Sequence, residues 1–134
     1  MIVGLDTSVV LRLLAGDPRD LALEALRFLL DRRAAGDRLR VSELVLAESY
    51  YALQHHYGVS KRDALVALRQ FLATPAIEAD GQVAELLATP GLESAKLGFI
   101  DRVIYGNYLC AGAERVVTFE KAAAKLPGAL VLAP

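Results

Sequence analysis

The chain opens on an unbroken apolar run, Ile2-Val3-Gly4-Leu5, that stops at Asp6. A short run without polar alternation suits a central strand of a parallel sheet, apolar on both faces. From Thr7 to Ala15 the pattern becomes helical, and Gly16 stops it. Asp17 then reads as an N-cap with Pro18 at the first helical position. Leu21, Ala25, Phe28 and Leu29 recur at helical spacing toward Ala35, where Gly36 ends the element.

Leu39-Arg40-Val41 is the next strand, and Ser42 caps a helix carrying Leu44, Val45, Leu46, Tyr50, Tyr51 and Leu53 that Gly58 stops. Ser60-Lys61-Arg62-Asp63 resembles a capping box with Asp in place of Glu, opening a helix through Leu72. Ala76 to Ala79 reads as a short strand. Asp80 opens a helix to Leu87, and Thr89-Pro90-Gly91 marks a loop. The remainder reads as helix (Phe99 to Ala111), strand (Arg115 to Phe119), helix (Glu120 to Lys125) and strand (Leu130 to Leu132). Alternating strands and helices predict an α/β fold with a parallel sheet flanked by helices. At 134 residues, without repeat or linker, the whole chain reads as one domain.

Composition adjusts this picture in three places. Hydrophobic residues make up 54% of the chain, which implies either a dense core or apolar surface reserved for a partner chain. The net charge of −1 predicts no polyanion or membrane partner by itself, but a local patch can steer a polyanion whatever the total. Arg27, Arg32, Arg33, Arg38 and Arg40 are the candidate patch, with a solvated helix end as the blander reading. The single Cys110 rules out an internal disulfide and reads as a small buried hydrophobe. No secretory leader and no apolar run approaching ~20 residues is apparent, so the expectation is a soluble, cytoplasmic protein.

Four acids sit in apolar surroundings. Asp6 and Glu120 each end an apolar strand, where open α/β sheets place their sites. Glu48 lies within Leu44-Val45-Leu46-Ala47-Glu48, and Asp101 between Phe99-Ile100 and Val103-Ile104. A carboxylate in such a place is costly unless it is paired, hydrogen-bonded or bound to a cation. Each alone has an ordinary explanation as a cap or an ion pair. If all four meet, a divalent cation resolves their repulsion, and oxygen-only ligands suit Mg²⁺ or Mn²⁺ better than zinc. A glycine-rich dinucleotide loop after the first strand is absent. A receiver-like signalling domain would want an acidic pair there, not the single Asp6.

At these residues the sequence resembles the PIN-domain ribonucleases, in particular the VapC-type toxins of toxin–antitoxin pairs. Ile2-Val3-Gly4-Leu5-Asp6-Thr7-Ser8-Val9-Val10-Leu11-Arg12 resembles the family's opening strand and first aspartate. Ser42 to Glu48 is similar to its helix with the conserved glutamate, and Phe99-Ile100-Asp101 to the segment bearing the third acid. Val116-Val117-Thr118-Phe119-Glu120-Lys121 and Lys125-Leu126-Pro127-Gly128 resemble its closing strand and loop.

The resemblance implies an αβα sandwich on a short parallel sheet of four to five strands and Mg²⁺- or Mn²⁺-dependent cleavage of RNA. It also implies a homodimer held in check by a cognate antitoxin protein. Asp6 and Asp101 would then hold the metal, with Glu48 and Glu120 completing the acidic pocket and orienting the attacking water. Thr7, Ser8 and Thr118 would fix those carboxylates by hydrogen bonds, and Arg12 and Arg102 would contact substrate or antitoxin. Four positions depart from the pattern: Ser8 replaces the usual asparagine, Gly98 an aspartate, Glu120 an aspartate, and Arg102 a small residue. The alternative they raise is a degenerate domain that binds RNA or a protein without cutting.

Overall fold

The structure is a computed structural model, described here for residues 1–133. Its elements run β1 (Ile2–Gly4), α1 (Thr7–Ala15), α2 (Arg19–Ala34), β2 (Arg38–Val41), α3 (Glu43–His55), α4 (Lys61–Leu72), β3 (Ile77–Ala79), α5 (Val83–Leu87), α6 (Phe99–Cys110), β4 (Val116–Thr118) and β5 (Ala129–Val131). Short 3-10 helices occupy Leu92–Ser94 and Lys121–Lys125. Local chemistry explains most of the boundaries. The Asp6 carboxylate accepts from the Thr7 amide at 2.8 Å and starts α1, and Gly16 closes it in the left-handed conformation. Ser42 and Ser60 cap α3 and α4 by accepting from the amides of Val45 and Asp63.

Each strand pairing is parallel, as the alternation of strand and helix predicts, but the pairings form two sheets. β1, β2 and β3 make one in that order, with Val3 opposite Leu39 and Leu39 opposite Ile77. β4 and β5 make the other. A single sheet of four to five strands is therefore not what forms, and β1 is the flank of its sheet rather than the centre. Ile2 is accordingly 54% exposed. A three-residue strand offers few ladder bonds, and Gly4 at its end adds no side-chain packing.

Helices α1, α3 and α4 enclose the main core with the first sheet, around Val10, Leu39, Val41, Leu46, Leu65 and Leu68. Phe99 of α6 enters that core edge-on to Tyr50, with ring centroids 5.1 Å apart. Further along, α6 turns to a second, smaller core of Leu97, Tyr105, Val116 and Ala123, which backs β4, β5 and the 3-10 helix 121–125. The same helix thus anchors both.

Four local expectations need correction. Asp17 does not cap α2; Pro18 stands at the N-cap and no side chain bonds there. Leu21, Leu23, Leu26, Phe28 and Leu30 are exposed, because residues at those spacings circle the helix and only Leu29 is buried. Asp80 does not open α5, which begins at Val83, because Arg40 on the neighbouring strand takes its carboxylate at 3.1 Å. Cys110 is exposed in the last turn of α6. No helix among the described residues is long and apolar enough to cross a membrane.

Candidate functional site

The acids can be followed one by one. Glu48 lies on the outer face of α3, one residue from the buried Ser49 and two from the buried Leu46. It lines an open hollow of about 480 Å³ together with Thr7, Leu11, Tyr51, His56 and Ile100. Thr7 directly follows Asp6, and Ile100 directly precedes Asp101. Helix packing of α1 on α3 and of α3 on α6 thereby brings Glu48 beside the chain neighbours of Asp6 and Asp101. Asp6 ends the apolar strand as the N-cap of α1, and Asp101 stands in the first turn of α6, where the helix dipole favours an anion.

Glu120 arrives elsewhere. It precedes the 3-10 helix 121–125, and its amide donates to the Thr118 hydroxyl at 3.0 Å. Thr118 therefore shapes the turn after β4 and holds the backbone of Glu120, not its carboxylate. Thr7 likewise meets Asp6 through its amide. Ser8 faces a different hollow, between β1, α1 and α2, and Arg12 lines the same one while donating to the Tyr57 hydroxyl at 3.3 Å. Arg102 forms no salt bridge with Asp101; its Nε donates to the Leu97 carbonyl at 2.7 Å.

Glu48 is the one carboxylate in the lining, beside the Thr7 and Tyr51 hydroxyls and the His56 imidazole, and carboxylate oxygen is the donor a hard divalent cation prefers. The gathering is incomplete: among the described residues no three His, Cys, Asp or Glu side chains stand together as an ion would need. The carboxylates of Glu48 and Asp101 are exposed and bond to no other described group, so no existing contact holds them apart. The Asp6 carboxylate is engaged only by the Thr7 amide.

Two further residues stand near this site, and only the second was singled out by sequence. Glu43, in the first turn of α3, accepts from the Asn107 amide group of α6 at 2.6 Å and from the Gln82 amide at 3.2 Å. It ties α6, and so Asp101, to α3. A Cβ at Gly81 would collide with the Glu43 carboxylate, and Gly81 itself has φ +61°. Tyr51 is exposed beside Glu48 and lies against His55 with centroids 4.2 Å apart. Glu43 was hidden as an ordinary first-turn acid, while Tyr50, Tyr51 and Tyr57 read from sequence as a cluster able to stack on bases, with core or dimer packing favoured. Tyr50, of the same cluster, is buried, and that burial raises its hydroxyl pKa.

No curated protein and no solved structure matches the chain. A family model does match, that of the PIN domain, over residues 3–129. That span takes in β1, all six α-helices of the described residues and the acids they carry, and on it the chain belongs to the PIN domain family.

Proposed function

We propose that this chain is a metal-dependent endoribonuclease whose site is the hollow at Asp6, Glu48 and Asp101. PIN domains are generally nucleases and typically use divalent metal ions. The observation that carries the reading is that Glu48 shares its hollow with Thr7 and Ile100, the chain neighbours of Asp6 and Asp101. Asp6 and Asp101 are the carboxylates to hold Mg²⁺ or Mn²⁺, which when bound polarises a phosphoryl oxygen and makes a water more acidic. Glu48, which lines the hollow, would orient a water and take its proton as the water oxygen bonds to phosphorus, while the bond to the leaving strand breaks and the departing oxygen takes a proton from solvent. Tyr51 offers a flat face on which a base of single-stranded RNA can stack. Glu120 belongs to this reading as an outer acid, at the far side of α6.

The finer reading is the toxin of a toxin–antitoxin pair, cytoplasmic and homodimeric, held inactive by its antitoxin. The exposed leucines of α2 support a protein partner, since a helix apolar on several sides leaves surface that a second chain would cover. A second reading, a degenerate PIN domain that binds RNA or a protein without cutting, is favoured by one observation. Among the described residues no three potential ligands are gathered.

Incubating total RNA with purified, partner-free protein separates the two. Cleavage with Mg²⁺ or Mn²⁺ that stops in EDTA is expected. Intact RNA under every metal, from protein shown to be folded, would favour the degenerate domain.

A further inference from the structure

On the side of α6 away from Glu48 lies a hollow of about 540 Å³. Four cations line it: Lys96 before α6, Arg102 on α6, and Lys121 and Lys125 on the 3-10 helix. Its apolar floor is Leu97 and Leu126, which belong to the smaller core. No carboxylate lines it, and none of the four cations forms a salt bridge among the described residues. The Arg102 Nε is fixed on the Leu97 carbonyl, and its terminal nitrogens have no hydrogen-bond partner among the described residues. The three lysines have none either. The chain carries 15 cations against 16 acids, so gathering four cations in one unneutralised hollow is a local feature, not a consequence of net charge.

Two of the cations follow acids in the sequence. Arg102 follows Asp101, and Lys121 follows Glu120. A strand approaching Asp6, Glu48 and Asp101 meets like charge, and cations further along the strand's path offset that repulsion for a phosphate chain. We infer that the hollow of Lys96, Arg102, Lys121 and Lys125 holds backbone phosphates of single-stranded RNA on the flank of α6 opposite the hollow of Glu48. This rests on the nuclease reading for the position of the strand, but phosphate binding can be measured without cleavage.

The test is fluorescence anisotropy of a labelled single-stranded RNA oligonucleotide in EDTA, with protein carrying Asp6→Asn so that nothing is cut. Lys121→Ala with Lys125→Ala, both at exposed positions, should bind at least about ten-fold more weakly. The slope of log affinity against log salt should fall by about 1.4, since each phosphate contact on a single strand contributes ~0.7. Arg33→Ala with Arg62→Ala removes the same charge from exposed positions elsewhere and should leave both readings unchanged, as should Lys121→Arg with Lys125→Arg. The inference is overturned by an unchanged affinity and slope, by an equal loss in the Arg33/Arg62 control, or by a parent protein that binds no RNA. Displacement of the RNA by poly-glutamate at matched charge would also overturn it, assigning the hollow to an acidic protein. RNA binding that depends on Lys121 and Lys125, in a protein whose wild type cuts no RNA with any metal, would leave the inference standing and sink the nuclease reading alone.

Discussion

The two cores that α6 joins differ in size, and with size goes the chemistry each supports. The main core is closed by three helices and a three-stranded sheet, and beside it Glu48 lines a hollow with the chain neighbours of Asp6 and Asp101. The smaller core rests on Leu97, Tyr105, Val116 and Ala123 and carries Glu120 with the lysines of the 3-10 helix. Acids sit on the well-buried body and cations on the lighter one. A site that must place several carboxylates within fractions of an ångström benefits from rigid packing beneath it, whereas a phosphate clamp tolerates movement.

The largest expected contrast is in activity. Glu48→Gln should slow RNA cleavage more than about 100-fold, because a general base contributes on the order of 10²–10⁴. Glu120→Gln should cost less than about ten-fold, since its carboxylate lies off the hollow. Single-turnover rates at saturating metal measure both, and equal losses would break the distinction between the bodies. Next comes stability. Leu46→Ala, fully buried in the main core, should cost about 2–5 kcal/mol in denaturant unfolding. Val116→Ala, in the smaller core, should cost about 1–2 kcal/mol.

The smallest effect is a pH dependence. The hydrogen bond from Arg38 holds the Glu78 carboxyl below its ordinary value, with the charges of Arg38 and Arg40 adding to it against partial burial. Asp37 is lowered in the same way, first by its hydrogen bond from the Met1 ammonium. A depressed carboxylate lends stability that is complete above its unfolded value and lost as pH falls through the folded one. The loss therefore begins below the ordinary values of 4.5 for Glu78 and 3.8 for Asp37. Both pairs brace the first sheet, and none of the chain's salt bridges among the described residues touches the smaller core. Hydrogen exchange at low pH should narrow the gap in protection between β2 and β4, and Glu78→Gln should remove part of that narrowing.

Much of this was legible in the sequence where local chemistry decides the outcome. Asp6 before a helix, Gly16 after it, and serines at 42 and 60 marked element ends that the backbone observes. What was not legible depends on residues far apart in the chain. Arg32, Arg38 and Arg40 lie close together and read as a possible patch, but Asp37, Glu78 and Asp80 neutralise them, the last two from β3 and its end. Lys96, Arg102, Lys121 and Lys125 are scattered in sequence and become one hollow only through packing of the 3-10 helix on α6. The split of the sheet escaped for the same reason: no pattern within Ile2–Gly4 or Val116–Thr118 says whether the two pair. Of the four acids, only Glu48 lines the hollow itself, with residues next to Asp6 and Asp101 beside it. Spacing could not tell that Glu120, at a similar strand end, falls across the helix.

The central claim is that Asp6 and Asp101 act as parts of one site. A double-mutant cycle of RNA cleavage in Mn²⁺ tests it most directly, with Asp6→Asn, Asp101→Asn and the two combined, each checked for folding by its melting curve. Groups that work as a unit are non-additive, so each single change should remove at least about 100-fold and the pair scarcely more than either alone. Losses that multiply would place the two carboxylates in separate roles and contradict the shared site.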